Sequence, residues 1–327
     1  MRSPLQGGLP PAGAVAGAVV EIACDESGFS GTNLLRSTAP VITHASVDLT
    51  TGEAIGLVTA LRSEFRFAPH ELKSGPFLRH PAASHRFLAA LRGRAHVHLI
   101  DKEFFLATRV VDLLLGEPSY AAGTRLAPDH RAAAVALYRA GQGAGTAFLA
   151  AFADLVRTKR RRPVDEALRR FLQARDTLAG HGAAAVLDRL DPAHVRAVLA
   201  QLDNDDREIP PPLEPLLPAL AETVLFWSGG HRRVLVTHDE QSALTADRLA
   251  RLQQALTTGP GGSPLAGLVM ADSRDDPRVQ VADLLAGIAR RSPELLAAAE
   301  LSTTALGAPE LLAATPSSTT APGALER

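Results

Sequence analysis

The stretch VVEIACDESGFSG, residues 19–31, runs an apolar segment into an Asp-Glu pair and then into Ser and Gly. Val19, Val20 and Ile22 predict a short strand, and the Ser-Gly end predicts the turn that stops it. A strand that finishes at Asp25 and Glu26 brings two carboxylates to the mouth of a sheet. Side chains alternate along a strand, so Asp25 and Glu26 face opposite sides and Glu26 is a poor partner for Asp25. A strand-end aspartate also serves as a turn acid that accepts a backbone N–H, and the residues alone leave that role open. Cys24 reads as a small buried apolar residue. Ser27 and Gly28 read as turn formers, because neither a G-x-S-x-G elbow nor an S-x-x-K arrangement surrounds them.

Outward from this stretch, APVITHASVDL (39–49) and EAIGLVTAL (53–61) read as two further strands across the turn residues TTGE (50–53), predicting a three-stranded antiparallel meander. HPAASHRFLAALRGR (80–94) has the apolar spacing of a helix, and AHVHLID (95–101) reads as a fourth strand. Between residues 104 and 229 Ala, Leu and Arg dominate at helical spacing, interrupted by GQGAG and by IPPPLEPLLP, which cannot sit inside helices. Strand text returns in HRRVLVTHD (231–239) and LAGLVMADS (265–273), with helices predicted over 240–256 and 277–291. These elements predict an α/β fold with a mixed five-stranded sheet, flanking helices and a long all-helical insertion between strand four and strand five. The expected organisation is a flexible N-terminus over 1–17, a core over 18–104 plus 230–295, the insertion over 105–229, and a disordered tail over 296–327.

The 327 residues suffice for a sizeable core plus an elaboration, and a formal net charge of -1 removes the global basic surplus of a whole-face nucleic-acid binder. Any polyanion is then met locally. One cysteine excludes an intrachain disulfide framework and a multi-cysteine zinc site. No run reaches the roughly 18 apolar residues of a membrane span, and the start carries no secretory signal, so a cytoplasmic location and no membrane partner are expected. Phosphate-loop and dinucleotide fingerprints are absent.

Four acids fall at comparable places: Asp25 at the end of the first strand, Glu71 ahead of the first helix, Asp101 at the end of the fourth strand, and Asp283 on the last helix. Strand ends on one sheet edge converge, and convergent carboxylates repel unless a cation or a shared proton compensates. Mg²⁺ or Mn²⁺ prefers such oxygen ligands, and a pair of these ions stabilises the attacking and leaving oxygens of a phosphodiester displacement. The chain holds three lysines, Lys73, Lys102 and Lys159, while arginine supplies the other basic positions. Lys73 and Lys102 stand beside candidate acids, in ELK and IDKE, where a compact ammonium suits a phosphate or a metal-bound water. Lys159 belongs to the basic run RTKRRRP, read as a solvated face able to meet a phosphate locally.

DESG after a strand, ELKS before a helix, HLIDKEFF at a later strand and SRDDPRVQVADLLAG near the end together resemble domain-of-unknown-function family 3800, which has the ribonuclease H-like fold. The resemblance covers residues 18–104 and 230–292. It implies Asp25, Glu71, Asp101 and Asp283 as metal ligands, in the ribonuclease H order of strand one, first helix, strand four and terminal helix. The insertion departs from the minimal fold, and Glu71 precedes its helix rather than lying within it.

Other acids have structural readings of equal standing. Asp239 is either a further ligand or the N-cap of the helix beginning EQSALTADRL, and Asp272 poses the same choice. Asp275 and Asp276 suit a helix start. Asp283 interrupts an apolar helix face and needs a partner, for which Arg290 or Arg291 is at hand. His96 and His98 share a strand face but lack a third ligand, so surface or half-buried imidazoles are expected. Two functions follow: a divalent-metal-dependent nuclease using Asp25, Glu71, Asp101 and Asp283 with Lys73 or Lys102 near the phosphate, or a catalytically idle ribonuclease H-like binding or scaffolding module.

Overall fold

The computed structural model describes residues 7–29, 31, 33–36, 39–67, 72–116, 118–120, 127–141, 146–157, 162–178, 182–257 and 261–307. Strand β1 (Val19–Ser27) pairs antiparallel with β2 (Val41–Val47), but the chain then departs from the expected meander. Residues 53–61 lie inside helix α1 (Thr51–Phe65). The reason is in TTGE, which is a capping box rather than a turn. Thr50 is the N-cap, its Oγ1 accepting from Glu53 N–H at 3.3 Å while Glu53 Oε2 accepts from Thr50 N–H at 2.7 Å. Ala54, Val58 and Leu61 are buried at helical spacing, whereas Ile55 is 52% exposed.

After α2 (Ser74–Phe77) and α3 (Pro81–Ala90), AHVHLID forms β3 (Ala95–Asp101), the third strand and not the fourth. The helical block follows as α4 (Lys102–Leu114), α5 (Pro128–Gly141), α6 (Thr146–Leu155), α7 (Val164–Leu178), α8 (Ala184–Leu187), α9 (Pro192–Asp203) and α10 (Leu216–Ser228). The chain closes with β4 (Arg233–Asp239), α11 (Ala246–Leu256), β5 (Leu265–Ala271), α12 (Pro277–Arg291), α13 (Glu294–Ala298) and β6 (Ser302–Leu306). The sheet has six strands, in the order β5-β4-β1-β2-β3-β6, where five were expected. β2 is antiparallel to both its neighbours and every other pairing is parallel, so the other five strands end at one edge.

Alternation divides the sheet's two faces. Ala23, Ala45 and Val97 pack against α1, α3 and α12, around Val58, Phe87 and Leu285. Ile22 and Cys24 face α10 and α11. Ile42 and Ile100 join the core of the helical block, with Phe104, Phe152 and Phe171. The block therefore shares its apolar core with the sheet. Burying this surface in three layers supplies the main driving force for the fold.

Described residues of both expected terminal segments pair with the sheet. Leu9 bridges Leu268 of β5, and Gly8 N–H donates to Leu244 O at 2.9 Å. Gly8 has φ 83°, and a Cβ there would lie 2.9 Å from Leu268 O, so the bridge depends on glycine. Helix α13 (Glu294–Ala298) runs into the expected tail, and β6 within it pairs in parallel with β3 from His96–Ser302 to Ile100–Leu306. The Ser-Thr-Thr run reads as tail by composition, yet Thr is a good strand former once an edge offers hydrogen bonds. Residues 308–327 lie outside the described residues. Among the described residues no helix is long and apolar enough to cross a membrane.

Candidate functional site

Asp25 is 5% exposed near the end of β1. The last pair of the parallel β1/β4 ladder is Cys24–His238, so Asp25 and Asp239 each stand one residue beyond it. Both belong to the alternation set that faces α12, the helix carrying Asp283. Burial first, and then the charges of Glu26, Asp239 and Asp283, push the Asp25 carboxyl well above the usual carboxylate range. Glu26 N–H donates to Asp25 Oδ1 at 2.7 Å, which pulls the other way. Asp25 thus feels a carboxylate from the neighbouring strand end and one from the last long helix.

The site has cations at its rim. Lys73 Nζ lies 3.3 Å from Asp283 Oδ2, a partner the sequence did not suggest. Arg290 Nε instead donates to Ser27 Oγ at 2.9 Å. Gly28, with φ 93°, makes room for it: a Cβ there would meet Arg290 Cδ and Val41 O at 2.7 Å. Asp239 does not cap α11, whose N-cap is Thr245. Its Oδ1 accepts from Ser273 N–H at 3.2 Å. Asp272 pairs with Arg274 at 2.7 Å, and Asp276 caps α12 by accepting from Arg278 N–H at 2.8 Å.

Asp101 does not join the cluster. The registers place Asp25 level with Ala45 and Val97, and Asp101 opposite Val41, four residues further along β3. That separates the two acids by about 13 Å along the strands and about 10 Å across them. Asp101 is the N-cap of α4, accepting from Phe104 N–H at 2.8 Å and from Tyr138 O–H at 3.2 Å. Lys102 is likewise structural: it is 3% exposed and Nζ donates to Ala39 O at 2.8 Å, with burial lowering its pKa. Glu71 and Lys159 lie outside the described residues.

Behind the carboxylates, on the opposite face, runs a buried polar chain. His44 Nδ1 contacts Thr223 Oγ1 at 2.8 Å, His44 Nε2 contacts His238 Nε2 at 3.2 Å, and His238 Nδ1 contacts Asp239 O at 3.0 Å. A carbonyl only accepts, so His238 Nδ1 carries a proton and donates. If His238 Nε2 accepts, His44 Nε2 donates to it and Thr223 donates to His44 Nδ1. Burial holds the His44 pKa well below its ordinary value. Glu26 stands on this side, where Gln241 Nε2 donates to its Oε1 at 2.6 Å. His96 and His98 are also fully buried, contrary to expectation. Thr304 Oγ1 of β6 bridges them at 3.0 and 2.8 Å, and His96 stacks on Phe226 at 3.9 Å. Sequence reasoning missed this chain, although the even spacing of His96 and His98 on a strand already put both on one face.

Among the described residues no three His, Cys, Asp or Glu side chains are gathered into a ready metal cage. The donor chemistry of Asp25, Asp239 and Asp283 nonetheless fits a hard cation, being all carboxylate oxygen, and Lys73 already sits against one member. Comparison with protein-family models, with curated proteins and with solved structures gave no match in any of the three.

Proposed function

We propose that the chain is a divalent-metal-dependent nuclease of ribonuclease H-like plan, related to domain-of-unknown-function family 3800, and that Asp25, Asp239 and Asp283 hold its Mg²⁺ or Mn²⁺. The observation that carries this reading is the buried Asp25 carboxyl, squeezed by Asp239 and Asp283 at the switch point of the sheet. In an open α/β sheet, ligands bind beyond the carboxyl ends of the strands, where the strand order turns in opposite directions. Here that place lies between β1 and β4. The strand-four acid of the ribonuclease H order is then Asp239, and Asp101 drops out of the ligand set.

A divalent ion supplies Lewis-acid stabilisation of the phosphate and acidifies a water nucleophile. The chain's own residues do the rest. Asp25 and Asp239, fixed by strand pairing, and Asp283, fixed on α12, present oxygen donors. Lys73, now against Asp283, would offer its positive charge to a phosphate oxygen. Ser273 N–H holds one oxygen of Asp239, leaving the other for coordination. The substrate is a nucleic-acid phosphodiester.

The test is cleavage of single-stranded and duplex DNA, RNA and an RNA–DNA hybrid with Mg²⁺ or Mn²⁺, run beside folded Asp25→Asn, Asp239→Asn and Asp283→Asn. Metal-dependent cleavage abolished in all three supports the site and names the polymer. Variants that cut like the parent remove the site, and a parent that cuts nothing favours the idle binding module.

A further inference from the structure

A cavity of about 510 Å³ opens in the helical block between α6, α7 and the segment that follows β1. Its walls are small and apolar, with Ala147, Ala150 and Ala151 of α6, Ala167 of α7, and Leu34 and Leu35. Its polar lining is Asn33, one acid, Asp154, and three guanidinium groups, Arg157, Arg162 and Arg170. Arg162 is compensated by Glu166, so the opening presents Arg157 and Arg170 against Asp154. Two of the three guanidinium groups are oriented. Arg157 Nη1 donates to Asn33 Oδ1 at 3.1 Å, and Arg162 Nη1 lies 2.6 Å from Glu166 Oε1 one helical turn on. Arg170 is exposed and makes no ion pair among the described residues.

We infer that this cavity binds a nucleotide, with its phosphate on Arg157 and Arg170 and the remainder against the alanine and leucine wall. A planar guanidinium matches two phosphate oxygens at once, which a lysine does not. The volume lies within the range of small-molecule sites and far exceeds a bare phosphate, so the ligand brings more than its anion. The wall segment belongs to the chain leaving Asp25, with Asn33 eight positions on. A phosphate partner follows from the cavity alone; its being a nucleotide rests on the hydrolytic reading above. The source is either a free mononucleotide or a flanking nucleotide of a bound strand.

The experiment uses the full chain in EDTA, so that no cleavage occurs, and measures binding of AMP, adenosine and a fluorescent single-stranded pentanucleotide. AMP binding without adenosine binding assigns the phosphate and a free nucleotide. Pentanucleotide binding without AMP binding assigns a strand. In either case Arg170→Glu, which alters an exposed side chain, and Arg157→Gln should each weaken binding tenfold or more, with unchanged thermal melts. Affinity unaltered in both variants, or no binding of either phosphate-bearing probe, overturns the inference. Binding here with no cleavage in the metal assay would sink the nuclease reading and leave the cavity standing.

Discussion

Asp25 and Asp239 close neighbouring parallel strands one residue past the Cys24–His238 pair, on the face of the sheet that packs against the helix bearing Asp283. Backbone pairing fixes the two carboxylates side by side, so they cannot relax apart by moving their strands. Uptake of a proton or a cation is the remaining way to relieve the repulsion.

This gives Asp25→Asn an unusual signature. The folded state holds the Asp25 pKa above its unfolded value, so its ionised form opposes folding and stability falls as pH rises through that interval. Near pH 8 in EDTA the Asn variant is expected to be at least as stable as the parent, by on the order of 1 kcal/mol. Metal should reverse the order, because the parent gains about 2.7 kcal/mol at a hundredfold excess over Kd while the variant gains little. Thermal melts across a Mn²⁺ titration check both signs. An Asn variant that is weaker in EDTA yet stabilised by metal would exclude Asp25 as a ligand.

Asp101 and Asp239 separate on the same logic. Asp101→Ala removes a helix N-cap and should cost about 1 kcal/mol of stability without changing the cleavage rate of the folded fraction. Asp239→Asn keeps an acceptor for Ser273 N–H, so its stability should stay near the parent while cleavage falls about a hundredfold or more, the scale of losing one electrostatic stabiliser. Urea unfolding paired with initial rates on one substrate measures both. The opposite pattern would return Asp101 to the site.

Why the sequence pointed to Asp101 first, where the proposal uses Asp239, is physical. The strand at Asp25, the helix at Asp283 and the strand at Asp239 were each legible from local apolar pattern. Their adjacency was not, because it depends on how many strands precede the helical block. Val58 and Leu61 serve a strand or a helix equally well in a short apolar run, and only the Thr50/Glu53 capping box decides for the helix. Reading it as a turn added a strand, made Asp101 the fourth-strand acid and left Asp239 as either a further ligand or a helix cap. The β6 strand was illegible for a different reason: Ser302–Leu306 has no strong apolar signal and takes its order from pairing with β3. The pairing of Lys73 with Asp283 spans 210 residues and could follow only from the assembled sheet.

The buried histidines predict acid sensitivity. Burial lowers both His96 and His98 to about 3, against an unfolded value near 6.5. A depressed histidine stabilises fully above the unfolded pKa and loses that contribution as pH falls towards the folded one. Each should therefore remove about 2 kcal/mol between pH 6.5 and pH 5. His98→Gln is expected to flatten the decline by about half of the pair's contribution, whatever the variant's stability at pH 7.5. Urea midpoints at half-unit steps test this, and a parent whose stability is level down to pH 5 would contradict the buried neutral rings.

The chain from Thr223 through His44 and His238 to the carbonyl of Asp239 makes the last prediction. With His238 donating Nδ1–H to that carbonyl and accepting at Nε2, His44 donates Nε2–H and Thr223 donates to His44 Nδ1. Thr223→Val keeps the shape and deletes the donor, leaving a fully buried acceptor without its partner, at about 1–3 kcal/mol. Thr223→Ser restores the hydroxyl and should recover most of that loss, apart from the small void of the missing methyl. Since the chain ends on the backbone of Asp239, Thr223→Val should also weaken the metal-induced rise in Tm, whereas Thr223→Ser should not. Equal stability in the Val and Ser variants would mean that Thr223 only fills space and that the histidines are oriented by packing alone.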